Sequence, residues 1–214
     1  MAQGKREVPR TLKQRIAIAA VALILCCSVG ATLAWLVTAT GPVKNTFEPT
    51  WVECEVTDTY KDGVKTDIIV TNPNEDKDDI KNVDAYIRVT FAATWEDPND
   101  NYTAVAKDTS KFYENLAAAT LNSDWVKGGD GFYYYKKIVK VGESTSPVFT
   151  SALTIPTDTV NGYELNVQIL AEAVQADGVA DDGVTKPVEI AWGTAKGGSV
   201  SAVSTDGVLT IVTQ

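Results

Sequence analysis

Not one histidine occurs in the 214 residues of this chain. That absence excludes histidine-ligated zinc sites, HExxH metalloproteases, and the Ser-His-Asp and Cys-His mechanisms together. A serine-lysine pair has no local foothold, because no serine stands three residues before a lysine. Cysteine is scarce: Cys26 and Cys27 lie in an apolar run near the start, and Cys54 is alone beyond it. A lone cysteine forms no internal disulfide, so whatever follows the run must be held together by a core. Leu25 precedes Cys26 where a lipoprotein signal needs a small residue, so lipidation is not expected. Positive charge is also in deficit. The chain carries −9, while Lys5, Arg6, Arg10, Lys13 and Arg15 against Glu7 give its first fifteen residues +4, which leaves −13 for the rest. Such acidity argues against nucleic acid, which needs a basic face, and against anionic lipid heads. The sequence ends DGVLTIVTQ, with no LPxTG, no closing apolar span and no basic tail, so sortase attachment to a wall is not indicated.

Between Arg15 and Lys44 there is no charge at all. A basic start followed by an apolar run is the layout of an export signal. The run is long enough for a bilayer, which takes about 20 apolar residues. It is not uniform: residues 16–29 are mostly apolar, and then Gly30, Ala31, Thr32, Ala34, Thr38 and Thr40 dilute it. Thr32-Leu33-Ala34 offers small side chains at −3 and −1, with Trp35 at the cut; Val37-Thr38-Ala39 is a second choice. The expectation is a signal peptide over 1–35 and a free arm over 36–50. The alternative keeps the run as a membrane helix, with the rest of the chain outside in either case.

Beyond the seam the pattern has period two. Ala85, Ile87, Val89, Phe91, Ala93 and Trp95 alternate with Tyr86, Arg88, Thr90, Ala92 and Thr94; Tyr163, Leu165, Val167, Ile169, Ala171 and Ala173 alternate with Glu164, Asn166, Gln168 and Glu172; Val52, Cys54 and Val56 alternate with Glu53, Glu55 and Thr57. Successive strand side chains point to opposite faces, so these read as strands with one wet side. Shorter strands are expected over 64–71, 131–141, 147–153 and 208–212, with turns at Asp62-Gly63 and Asp206-Gly207. The predicted fold is all-β, an antiparallel sandwich over 51–176 with a loop and last strand over 177–214. One helix is inserted at about 110–121, capped by Thr109 and burying Phe112, Leu116 and Ala119. Residues 177–200 are rich in Gly, Ala and Asp and read as a mobile loop.

Acidic stretches supply candidate calcium ligands. Residues 72–79, with Asp76, Asp78 and Asp79, pack oxygens closely, as do 96–101 and the set Asp177, Asp181 and Asp182. None fits the EF-hand spacing: Lys77 stands where its glycine belongs and Val83 where its bidentate glutamate belongs. Solvated turns account for them, and no cofactor is expected. Cys54 reads as a small buried hydrophobe. Phe132, Tyr133, Tyr134 and Tyr135 are suited to core packing or to stacking on a sugar. Asn101-Tyr102-Thr103 matches a glycosylation sequon, which is weak evidence by itself. No pair of carboxylates is singled out for glycoside hydrolysis.

GATLAWLVTATGPVKNTF (30–47) resembles the start of the TasA/camelysin-like proteins of Gram-positive bacteria. Gly30, Thr32, Leu33, Ala34 and Trp35 fit their signal end, with Ala31 interposed, and Asn45, Thr46 and Phe47 fit the Asn-x-Phe that follows. NPNEDKDDIKNVDAYIRVTFAATWED is similar to a strand pair of that family. DGFYYYKKIVKVGESTSPVF matches another segment, except that Val141 replaces the usual proline. AEAVQADG and the later AWG resemble its closing strand. The likeness runs over most of residues 30–193.

The resemblance implies an extracellular jelly-roll-like sandwich and a signal cut by a dedicated signal peptidase of the SipW type. For TasA it also implies fibre subunits that self-associate into filaments, the N-terminal segment of one completing the sheet of the next. Here that polymerisation arm offers Leu36, Val37, Val43 and Phe47 to a groove, with Gly41-Pro42 interrupting the pairing. The expected function is a secreted, non-enzymatic surface or biofilm-matrix fibre subunit. The alternatives are a membrane-anchored adhesin or carbohydrate-binding module and, further off, a camelysin-like protease, whose usual zinc ligands are missing without histidine. Contact with a membrane is expected only if the N-terminal helix is retained.

Overall fold

The structure is a computed structural model that describes residues 50–74, 81–179 and 182–213. The signal helix, the cleavage residues Thr32, Ala34 and Trp35, the arm residues Leu36, Val37, Val43 and Phe47, and the calcium candidates Asp76, Asp78 and Asp79 lie outside the described residues. All described residues fall in one unit, Glu48–Gln214.

Among the described residues twelve strands and two α-helices follow in order: β1 (Thr50–Trp51), β2 (Glu55–Lys61), β3 (Val64–Thr71), β4 (Lys81–Asn82), β5 (Ala85–Asp97), β6 (Thr103–Val105), helix α1 (Ser110–Ala118), β7 (Trp125–Lys127), β8 (Tyr133–Tyr135), β9 (Leu153–Thr154), β10 (Glu164–Gln175), helix α2 (Pro187–Trp192), a 3-10 turn (Thr194–Lys196), β11 (Val200–Val203) and β12 (Leu209–Ile211). The fold is all-β. β10, β5, β8 and β7 form one antiparallel sheet, with β6 also on β5; β2, β3 and β9 form a second antiparallel sheet. Among the described strand pairs only the two-residue β1–β4 is parallel, beside a single parallel bridge between Gly193 and Val200.

The period-two strands β3 and β5 pack as their pattern requires, but of the expected strand through Val52, Cys54 and Val56 only Val56 lies in β2, which begins at Glu55. Ile87, Val89 and Phe91 from β5 meet Ile68 and Val70 from β3 in the main core, joined by Phe112 and Leu116 from α1. The Asp62-Gly63 turn joins β2 to β3 with φ of 52° and 77°, the left-handed pair that a two-residue hairpin turn needs. Asp206-Gly207 closes the β11–β12 hairpin, Gly207 N–H donating to the Ser204 carbonyl at 3.0 Å.

The outer face of β5 differs from expectation. Tyr86 is 1% exposed and Tyr134 fully buried, because the C-terminal segment folds back over them with Val188, Trp192, Val200 and Leu209. Residues 177–200 therefore are not simply a loop. Pro187 starts α2 with its φ already helical, and the Glu189 carboxylate accepts from Lys186 N–H at 2.8 Å. The Gly- and Asp-rich flanks hide a helix this short.

Helix α1 ends at Ala118, short of 121, and Leu121 bridges to Phe149 instead. Its cap is also different. Thr109 makes no side-chain capping bond; the Asp108 carboxylate accepts from Ser110 N–H at 2.9 Å and from Ser110 Oγ at 2.7 Å. The stretches 131–141 and 147–153 are mostly irregular: Tyr133–Tyr135 is the strand in the first, with Val139 bridging singly to Ala85, and β9 begins at Leu153. Val141 and Val148 give their N–H groups to Asp84 Oδ1 and the Ile68 carbonyl in place of a ladder.

Candidate functional site

Strand β10 pairs with β5 at all twelve positions, from Glu164 opposite Glu96 to Gln175 opposite Ala85. Among the described residues nothing pairs with its other edge. β2 is likewise the outer strand of the second sheet, and it lies beside β10. The two open edges thus flank one side of the main core. Leu165, Ile169, Ala171 and Ala173 from β10, with Cys54 and Val56 ahead of and on β2, pack against that core yet are only half-buried. The register of β10 runs without a bulge, and its sequence, ELNVQILAEAVQ, has no proline, glycine or lysine. Natural edge strands usually carry such features to block pairing with another chain. β2, by contrast, has a register shift between Thr57 and Thr59.

At the start of β10 the seam opens into a cavity of about 540 Å³ lined by Tyr60, Lys65, Ile155, Tyr163, Leu165 and Val167 among others. The loop at its mouth is pinned by Asp158. That carboxylate accepts from Lys107 Nζ, from Asn161 Nδ2 at 3.0 Å, and from the Val160 and Asn161 amides at 3.1 and 3.2 Å. The Lys107 and Asn161 bonds hold its carboxyl well below the usual aspartate range. Lys107 Nζ in turn lies 4.5 Å from the Trp95 ring centroid. At the other end of the seam, burial pushes the Cys54 thiol up to about 11, aided by Glu53 and Glu172. A thiol so placed stays protonated and is a poor nucleophile.

The chain enters the domain beside a buried amide pair. Asn72 is fully buried; its Nδ2 donates to the Val83 and Val139 carbonyls, both at 2.9 Å, and its Oδ1 accepts from Asn82 Nδ2 at 2.6 Å. Asn82 Oδ1 accepts from Val83 N–H at 3.0 Å and Glu53 N–H at 3.4 Å. Asn72 is thus committed to the backbone and is not an available calcium ligand. Asp97 and Asp182 likewise accept from amides of their own turns. Among the described residues no three acidic or cysteine side chains gather at a metal-sized site.

The aromatic run is also accounted for. Tyr133 and Tyr135 point into the main core and Tyr134 into the C-terminal cluster, so none offers a face to a sugar. Arg88, which alternation places on the wet side, is enclosed there by Phe132, Tyr134 and Trp192. No helix among the described residues is long and apolar enough to cross a membrane. No family model, curated protein or solved structure matches this chain.

The free edge of β10 was only partly legible beforehand. Its alternation marks a strand with one apolar face, but strand order is a long-range property that no local pattern carries.

Proposed function

We propose that this protein is a secreted subunit of surface or matrix fibres in a Gram-positive bacterium. In this reading it is a jelly-roll-like sandwich whose arm, residues 36–50, is freed by a signal peptidase of the SipW type and adds as a strand to the next subunit. The observation that supports the reading is the unpaired, unbulged edge of β10, with half-buried apolar side chains along it. An added strand satisfies the open backbone groups and removes those side chains from water, which is how strand addition gains its affinity. A contact between an arm on one copy and an edge on another does not close on itself, so it propagates as a filament.

The deciding experiment is the N-terminal residue and intact mass of the protein from its own host, in medium and membrane fractions, with electron microscopy of the purified product. A start near Trp35 in the medium, together with filaments, supports a fibre subunit. Full-length chain confined to membranes supports the anchored adhesin instead. Chelator-sensitive cleavage of casein would revive the protease reading.

A further inference from the structure

Building on that fibre reading, we infer that Phe47 of one copy seats in the Tyr60–Leu165 cavity of the next, and that it sets the register of the added strand. Two independent patterns meet here. In the arm, Val37, Ala39, Gly41, Val43 and Phe47 alternate with Thr38, Thr40, Pro42, Lys44 and Thr46, and Asn45 alone breaks the apolar side. In β10, Leu165, Ile169, Ala171 and Ala173 face the core half-buried, and Val167 between them is buried. An antiparallel addition with Phe47 opposite Leu165 sets Val43 on Ile169, Gly41 on Ala171 and Ala39 on Ala173. Asn45 then falls opposite Val167, the one position that needs no further cover. A slip of one residue would turn Thr38, Thr40, Lys44 and Thr46 toward the core, since neighbouring strand residues face opposite ways.

Orientation follows from the cavity. It lies where β10 begins, bounded by Leu165 and Val167 on that strand and Tyr60 on β2. Only the antiparallel direction brings the C-terminal end of the arm, and its one ring, to that place. The rest of the domain agrees. Each chain enters its own domain at Thr50, beside Lys81 at the end of the seam away from Tyr60. With only Glu48 and Pro49 between Phe47 and that entry, the next domain must stack end-on against the cavity mouth. Large apolar side chains stand exposed at that end: Tyr60 at 59%, Val160 at 87% and Tyr102 at 59%. Charge fits as well, since Glu53, Glu55, Glu164 and Glu172 border the seam and residues 36–47 carry only Lys44.

Disulfide trapping in the full mature chain tests the register, in a Cys54→Ser background. Val43→Cys with Ile169→Cys should give a ladder of covalent multimers on oxidation; Val43→Cys with Leu170→Cys should not. A ladder of equal strength from both, or a cross-link confined to the monomer, overturns the register. Phe47→Ala should raise the concentration needed for assembly by about tenfold or more, the scale of a lost buried ring. The melting temperature of the monomer, measured alongside, separates a lost contact between copies from a folding defect. Unimpaired assembly of Phe47→Ala, with wild-type fibres present, overturns the cavity assignment and leaves the fibre reading standing. A cleaved wild-type chain that never assembles overturns both.

Discussion

The guanidinium of Arg88 lies between two rings, 3.8 Å from the Phe132 centroid and 4.8 Å from that of Trp192. Its Nε and Nη2 donate to Glu172 at 2.9 and 2.7 Å, and its Nη1 to the Tyr134 hydroxyl at 3.0 Å. This stack rivets the C-terminal segment to the outer face of β5 and β10. Trp192→Ala removes a buried ring and one side of the stack, so it should cost about 3–5 kcal/mol in urea unfolding. A loss below 1 kcal/mol would mean that the segment is not part of the cooperative unit.

The Asp158 knot makes stability depend on pH. Its carboxyl is held low in the folded state by Lys107 and Asn161, so the unfolded chain binds the proton more readily. The contribution is therefore present above the unfolded value, about 4, and is lost as pH falls below it. Asp158→Asn should lower the melting temperature at pH 7, and the gap from wild type should narrow steadily as the solution is made more acidic than pH 4.

Cys54 should react slowly. With its thiol raised to about 11, only about one molecule in a thousand is thiolate at pH 8. Iodoacetamide labelling of the monomer should run about two orders of magnitude behind a free cysteine, and on the fibre reading it should fall further in assembled material.

Asn72→Ala removes the bonds to the Val83 and Val139 carbonyls and from the Asn82 amide in a buried site, leaving Val139 only Ala85 N–H and the Asn82 amide only the Pro73 carbonyl. The expected loss is about 3 kcal/mol or more by chemical denaturation. Asn72→Asp should be no rescue, because a carboxylate cannot donate to either carbonyl.

Ile169→Lys places a charge on the inward side of the open edge, a device that natural sheets use against unwanted pairing. The position is half-buried, so the monomer should keep its β-rich circular dichroism. Its assembly, followed by light scattering and microscopy, should be abolished. Fibres of normal yield would place the added strand somewhere other than β10.

The long strands were readable because alternation is local: β3 spans Val64–Thr71 as its pattern says, and β5 and β10 turn toward the core the odd-numbered faces that their sequences mark as apolar. Hairpin turns were readable for the same reason, since Asp-Gly tolerates positive φ wherever it occurs. The uncharged run between Arg15 and Lys44 and the alternation over 37–47 also belong to the sequence itself. Tertiary structure alone decided the rest. Whether Tyr86 and Arg88 face water depended on a segment about a hundred residues later folding back over them. Whether Asn72 was a ligand or a buried tie depended on Asn82, Val83 and Val139 converging on it. That β10 lies at an edge, beside β2 and above a cavity, follows from strand order, and strand order is set by which apolar faces pack together.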